Sequence, residues 1–175
     1  MNISLPMIPP PKRGSEEELQ DLVETMSQFQ KRIVPENMQR RCDDDMTGLF
    51  HEMLENRGID IKYDVVDNLL NSTDPIIFVL KEYYDRPRPQ ETAKNLGIPF
   101  KCDMLESAQT PAYPSGHTIQ AHYTAYVLSE IFPELEKLLH TLAEAISQSR
   151  IDRGVHFPSD VEYGKMIAQS LYKNL

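Results

Sequence analysis

Apolar positions along this chain recur at helical spacing. From Ser15 onward, Leu19, Leu22, Val23, Met26 and Phe29 fall on one face of a helix. Ser15 before Glu16, Glu17 and Glu18 supplies an N-cap with acids in the first turn, and Ser15/Glu18 matches a capping box. A second stripe of Met38, Cys42, Met46, Leu49, Phe50, Met53 and Leu54 predicts one helix from about Glu36 to Asn56, with Gly58 as its C-cap. A shorter helix is expected over Tyr63 to Leu70. Ser72-Thr73-Asp74-Pro75 then reads as a cap with proline in the first turn. The helix it opens, Ile76 to Tyr84, is stopped by Pro87 and Pro89.

Residues 86–113 read as a long connection carrying Pro87, Pro89, Pro99 and Pro111, with a small helical patch near Glu91–Leu96. A loop of that length inside a compact domain is usually functional. Beyond it, Ile119, Tyr123, Tyr126, Val127, Leu128 and Ile131 predict a helix starting at Ser115. Leu135, Leu138, Leu139, Leu142, Ala143 and Ile146 predict another starting at Pro133, and a last one runs from about Ser159 to Tyr172. No stretch shows the alternation of a strand, so the expected fold class is all-α, a single-domain helical bundle. Residues 1–14, with Pro6, Pro9, Pro10 and Pro11, form a proline-rich arm ahead of a helical domain over 15–175.

Composition narrows the partners. The chain has 175 residues and is 40% hydrophobic, enough for one sizeable core, but no apolar run reaches the eighteen or so residues of a membrane helix. Membrane insertion is therefore not expected. With 27 acidic against 18 basic residues the net charge is -9, a sign that repels nucleic-acid backbones while leaving room for a local basic pocket. The N-terminus shows no basic segment leading into an apolar one, so a cytoplasmic location is expected. Cys42 and Cys102 form no CxxC pair and read as two reduced thiols, with a single disulfide between them left open.

Three segments carry candidate chemistry. The first holds Lys81 and Arg88, the second Pro114-Ser115-Gly116-His117, and the third Ser149, Arg150, His156 and Asp160. Taken singly, each has an ordinary reading: a solvated helix end, a helix N-cap, and a structural His–Asp hydrogen bond. Taken together, they are the inventory for phosphoryl transfer without a metal. Cations and a helix N-terminus hold the phosphate oxygens, one histidine attacks in line, and the other protonates the leaving oxygen. Asp43-Asp44-Asp45 reads as a solvated helix face, since no glycine-bearing calcium loop surrounds it. His122, His51 and His140 read as packing or surface residues, and Met26, Met38, Met46 and Met53 as core filler. Asp85, Arg86, Asp152 and Arg153 lie beside the segments with no role assigned, although an ion pair of Asp152 with a binding arginine is left open.

The three segments resemble the tripartite signature of the type 2 phosphatidic acid phosphatase superfamily: K-x6-RP, PSGH and SR-x5-H-x3-D. They match every fixed position, in order, over residues 81–160. With no membrane helix in view, the chain looks most like the bacterial class A non-specific acid phosphatases, which share YPSGHT and the placing of Gly154, Ser159 and Asp160 around His156. It departs from them in showing no secretory signal. The vanadium haloperoxidases share the signature and are the alternative, with vanadate as cofactor in the same pocket; a non-catalytic phosphate-binding protein is a further one.

The resemblance implies an all-α acid phosphatase-type fold. It implies His156 as nucleophile, Asp160 as its orienting partner and His117 as general acid and then base. Lys81, Arg88, Ser115, Gly116 and Arg150 would bind the phosphate. It also implies a small phosphorylated substrate, no cofactor or metal, inhibition by vanadate, and an oligomeric state open to homo-oligomers.

Overall fold

The computed structural model describes residues 4–175 and is all-helical among them. Helix α1 spans Glu16–Lys31. Its start is a two-way lock: Ser15 Oγ accepts from the Glu18 amide at 3.2 Å, and Glu18 Oε2 accepts from the Gly14 amide at 2.7 Å. Helix α4 spans Tyr63–Asn71, α5 Asp74–Tyr84, α6 Pro89–Asn95, α7 Gly116–Ile131, α8 Glu136–Asp152 and α9 Pro158–Lys173. Short 3-10 turns cover Glu106–Ala108 and Pro133–Leu135.

The single helix expected over Glu36 to Asn56 is two: α2, Glu36–Asp44, and α3, Met46–Glu55. Asp45 breaks it, with φ -141 and ψ 43, and its carboxylate caps the Gly48 amide at 3.1 Å. A short acid that bonds its own backbone offers the chain an alternative to continuing the helix. The apolar stripe runs through the break because both helices pack on the same core.

Helix α7 lies at the centre, packed against α8 and α9. Its small and apolar residues, such as Ile119, Ala121, Ala125 and Leu128, face both neighbours, as a buried helix requires. One core joins α2, α3, α4, α7 and α8 around Phe50, Leu54, Leu139 and Ile146, with Met38, Met46 and Met53 filling its edge. A second joins α5, α7 and α9 around Tyr113, Ile119, Tyr163 and Ile167. The first residues of the chain that are described run across this second core: Tyr163 donates to Pro6 O and Tyr113 to Ile8 O, both at 2.8 Å. Both cysteines are free thiols.

Candidate active site

Three helix boundaries bring the three sequence segments together. The start of α7 is capped by Ser115, whose amide donates to Asp160 O at 3.0 Å, tying the α7 start to the first turn of α9. Ser115 Oγ accepts from Thr118 Oγ1 at 2.9 Å and keeps its own proton for another acceptor. Among the described residues no acceptor meets the amides of Gly116 and His117, which leaves the positive end of the α7 dipole with donors to spare. Close approach depends on glycine at two places here. A Cβ on Gly116 would stand 3.2 Å from Ile77 and 3.8 Å from Lys81 Cε, and one on Gly164 would stand 3.1 Å from Ser115 O.

The cations converge on one stretch of chain. Lys81, 7% exposed near the end of α5, donates to Pro111 O. Arg88 donates through Nε to Thr110 O and through Nη1 to Val155 O, both at 2.8 Å. Arg150, fully buried in the last turn of α8, donates through Nη2 to Ser107 Oγ at 2.9 Å, and its Nε has no partner. Residues 107–111 thus lend oxygens to all three. Burial and the neighbouring Arg88 push the Lys81 ammonium down to about 7. Burial likewise brings Arg88 down to about 10. Arg88 also borders a cavity of about 300 Å³ lined by Gln90, Cys102, Met104, Leu105 and Val155.

His156 lies in the turn between α8 and α9, 2% exposed. Its Nε2 is 3.0 Å from Arg88 Nη1. A guanidinium only donates, so Nε2 accepts and the ring proton sits on Nδ1, which donates to Asp160 Oδ2 at 3.0 Å. Burial, then Arg88, Lys81 and Arg150, hold this imidazole well below its ordinary range, so it is neutral. Asp160 is itself over-determined. Oδ2 takes a second bond from the Phe157 amide at 2.9 Å, and Oδ1 accepts from Arg86 Nη1 at 2.7 Å. Burial raises Asp160 to about 6, with Arg86 pulling the other way.

His117, in the first turn of α7, is partly exposed. Its Nε2 meets Asp43 O at 3.0 Å, and the Asp43 carboxylate lies 3.8 Å from the same nitrogen. That carboxylate accepts from Arg150 Nη1 at 2.6 Å and from Ser107. Burial and then Arg150 push His117 down to about 3. Burial would raise Asp43, but Arg150 and Ser107 outweigh it and hold it below the usual carboxylate range.

The structure therefore brings together Lys81, Arg88, Ser115, Gly116, His117, Arg150, His156 and Asp160. It corrects the reading of Asp43 as part of a solvated face: the carboxylate turns inward onto Arg150, because α2 ends against α8. Arg86, left without a role from sequence, is 3% exposed and clamps Asp160, Ser159 and Asp21 of α1 while its guanidinium lies 3.7 Å over the Phe157 ring. Asp152 pairs with no binding arginine and instead accepts from the Val34 amide and Gln148. Arg153 pairs with Asp103. His122 is a buried packing residue on α7. No local spacing announced Asp43, Asp21 or Ser107; the one available signal was the short polar side chain density at the end of α2. Among the described residues no group of three His, Cys, Asp or Glu could hold a metal ion, and no helix is long and apolar enough to cross a membrane.

A family model described as PAP2 superfamily matches residues 69–172. Several bacterial proteins named non-specific acid phosphatase are similar. One from Providencia stuartii is 34% identical over 73 residues, 42% of this chain and 29% of that protein. One from Salmonella typhimurium is 36% identical over 87 residues, and one from Salmonella typhi 39% over 87, each covering 50% of this chain and 34% of the relative. The matched stretch thus spans about a third of those relatives' length. Among solved structures, the crystal structure of a transmembrane PAP2 type phosphatidylglycerolphosphate phosphatase from Bacillus subtilis superposes with a TM-score of 0.62 at 18% identity, over 92% of this chain and 85% of that one. At that identity the likeness is one of fold.

Proposed function

This chain belongs to the PAP2 superfamily, and from that membership and the geometry of the site we propose that it hydrolyses phosphate monoesters through a covalent phosphohistidine, without a metal ion. One observation carries the reading: His156 is neutral, its proton is held on Nδ1 by Asp160, and its Nε2 lone pair points among three cations. A structural histidine has no use for that combination.

The phosphate of the ester binds Lys81, Arg88 and Arg150, the Ser115 hydroxyl and the Gly116 amide. The orphan Nε of Arg150 and the unpaired α7 amides supply donors that the protein itself does not consume. His156 Nε2 attacks phosphorus, a P–N bond forms, and the ester P–O bond breaks. The leaving oxygen takes its proton from the His117 imidazolium. Burial and then Arg150 hold His117 low, and the two negative charges of the phosphate offset the Arg150 contribution and favour the imidazolium. In the second step water gives a proton to His117 and attacks phosphorus, and the P–N bond breaks to release phosphate and restore His156. The cations neutralise the equatorial oxygens, the role a metal has elsewhere.

The test is phosphate release from a panel of monoesters (alkyl, aryl, sugar and nucleotide) with and without exhaustive chelation. Turnover that survives EDTA and is blocked by vanadate supports the reading. Loss of activity on chelation, restored by magnesium or zinc, overturns metal independence, and no release from any ester overturns the function.

A further inference from the structure

We propose that Asp43 is the positioning partner of His117: its backbone carbonyl holds the Nε2 proton so that Nδ1 is the nitrogen that passes a proton to the leaving oxygen, while its carboxylate favours the imidazolium by charge and anchors Arg150. The inference rests on the phosphatase reading of the site and adds to it a residue outside the three segments.

Like His156, His117 is held through one ring nitrogen by an aspartate, but by its backbone carbonyl rather than its carboxylate. A carbonyl oxygen only accepts, so the 3.0 Å contact from His117 Nε2 to Asp43 O places the ring proton on Nε2. Nδ1 then carries the lone pair in the neutral ring and the second proton in the imidazolium, and it has no partner among the described residues. His156 is held through Nδ1 and works through Nε2; His117 is held through Nε2 and works through Nδ1. Each aspartate also holds an arginine, Asp160 to Arg86 at 2.7 Å and Asp43 to Arg150 at 2.6 Å. In both pairs one aspartate meets a reacting imidazole and holds a cation. Asp160 does so through its carboxylate alone. Asp43 uses its backbone carbonyl for His117 and its carboxylate for Arg150, with that carboxylate 3.8 Å from His117 Nε2.

The titratable groups that face His117 are Asp43 from α2, Arg150 from α8, Arg88 from the turn before α6, and the neutral His156 from the turn before α9. Asp43 is the one negative charge among them. It favours the imidazolium, and it opposes phosphate binding at Arg150 by the same sign. Removing that charge therefore has two effects of opposite direction, which a purely structural role does not share.

The experiment is rapid-quench measurement of phosphoenzyme formation by wild-type protein and Asp43→Asn, with an alkyl phosphate and nitrophenyl phosphate, beside vanadate binding. The alkyl ester should slow by about 10- to 100-fold, because its alkoxide leaves only with a proton. The nitrophenyl ester should slow by less than about threefold, since its phenolate leaves unaided. Vanadate should bind as tightly as before or tighter, and the alkaline limb of the alkyl reaction should move to lower pH. Equal slowing of both esters with weakened vanadate binding would reduce Asp43 to a clamp on Arg150, and faster reaction of both would make it a competitor for the anion; either overturns the proposal. If the variant does not fold, nitrogen-15 NMR of histidine-labelled wild-type protein decides. His117 should be the Nε2–H tautomer when free, and the Nδ1–H tautomer overturns the proposal. If wild-type protein forms no phosphoenzyme from either ester, it is the function that fails, and the NMR result still judges the placing of the proton.

Discussion

His156 and His117 are each pinned through one ring nitrogen, and substitutions should separate them by which nitrogen remains. His156→Ala removes the proposed nucleophile, so no phosphoenzyme should be trapped with any ester. His117→Ala leaves Nε2 of His156 in place and removes the group proposed to donate the proton. Its loss should be on the order of a hundred- to ten-thousand-fold for alkyl phosphates and much smaller for nitrophenyl phosphate. Equal losses on both esters would refute that division of labour. Lys81 supplies a second expectation at this scale. Burial and Arg88 bring its ammonium down to about 7. The charged form, which attracts phosphate, prevails below that pH, so phosphate and vanadate affinity should fall as pH rises through about 7. His156, held below its ordinary range, stays neutral well into acid. Binding and nucleophile are thus both at their best on the acid side of neutrality. Calorimetric titration of vanadate between pH 5 and 9 checks the first half, and Lys81→Arg should flatten the fall.

Helix ends, more than helix bodies, carry the site. The first turns of α7 and α9 meet through the Ser115 amide and Asp160 O, and the last turn of α8 delivers Arg150. Between α8 and α9 the chain reverses at Gly154, whose φ is +71. A Cβ there would stand 2.8 Å from Phe100 and 3.0 Å from both Cys102 and Phe29. Gly154→Ala combines a left-handed backbone with a blocked space. It should destabilise the protein by more than about 1 kcal/mol and displace His156, two residues on, from Arg88. Denaturant unfolding and phosphate release measured on the same sample test both halves. A stable, fully active variant would show that the turn relaxes without cost.

Across the whole molecule, a buried ionic chain joins three distant parts of the sequence. Asp21 of α1 accepts from Arg86 at 2.9 Å, and Arg86 donates to Asp160 of α9 at 2.7 Å. Asp21 also receives the Ser159 hydroxyl. This network fixes the carboxylate that fixes His156, and it does so from the outer layer of the bundle. Arg86→Met keeps the volume and the contact with Phe157 but leaves two carboxylates buried without their cation. Breaking such a pair from one side costs about 3–5 kcal/mol, on the order of 10 °C in Tm for a chain this size. Unfolding should then depend on pH, the loss being smaller where the stranded carboxylates are protonated. A variant with unchanged Tm between pH 5 and 8 would show that the network contributes nothing to stability.

Much of this was legible from the chain alone, and the division has a physical cause. Helix α1 with its Ser15 cap, the helix at Asp74–Tyr84 opened by proline, and the stripes that became the two cores depend on neighbours three or four positions apart, and such patterns are written locally. The residues of the three segments could be named for the same reason, because each segment is a short stretch whose chemistry is visible in its own spacing. Their partners could not. Asp43 meets Arg150 across 107 positions, Arg86 meets Asp21 across 65 and Asp160 across 74. Nothing in an acidic run at the end of a helix says whether it faces water or an arginine. That is decided when α2 packs on α8, and the same packing sets the tautomer of His117, which no side-chain identity encodes.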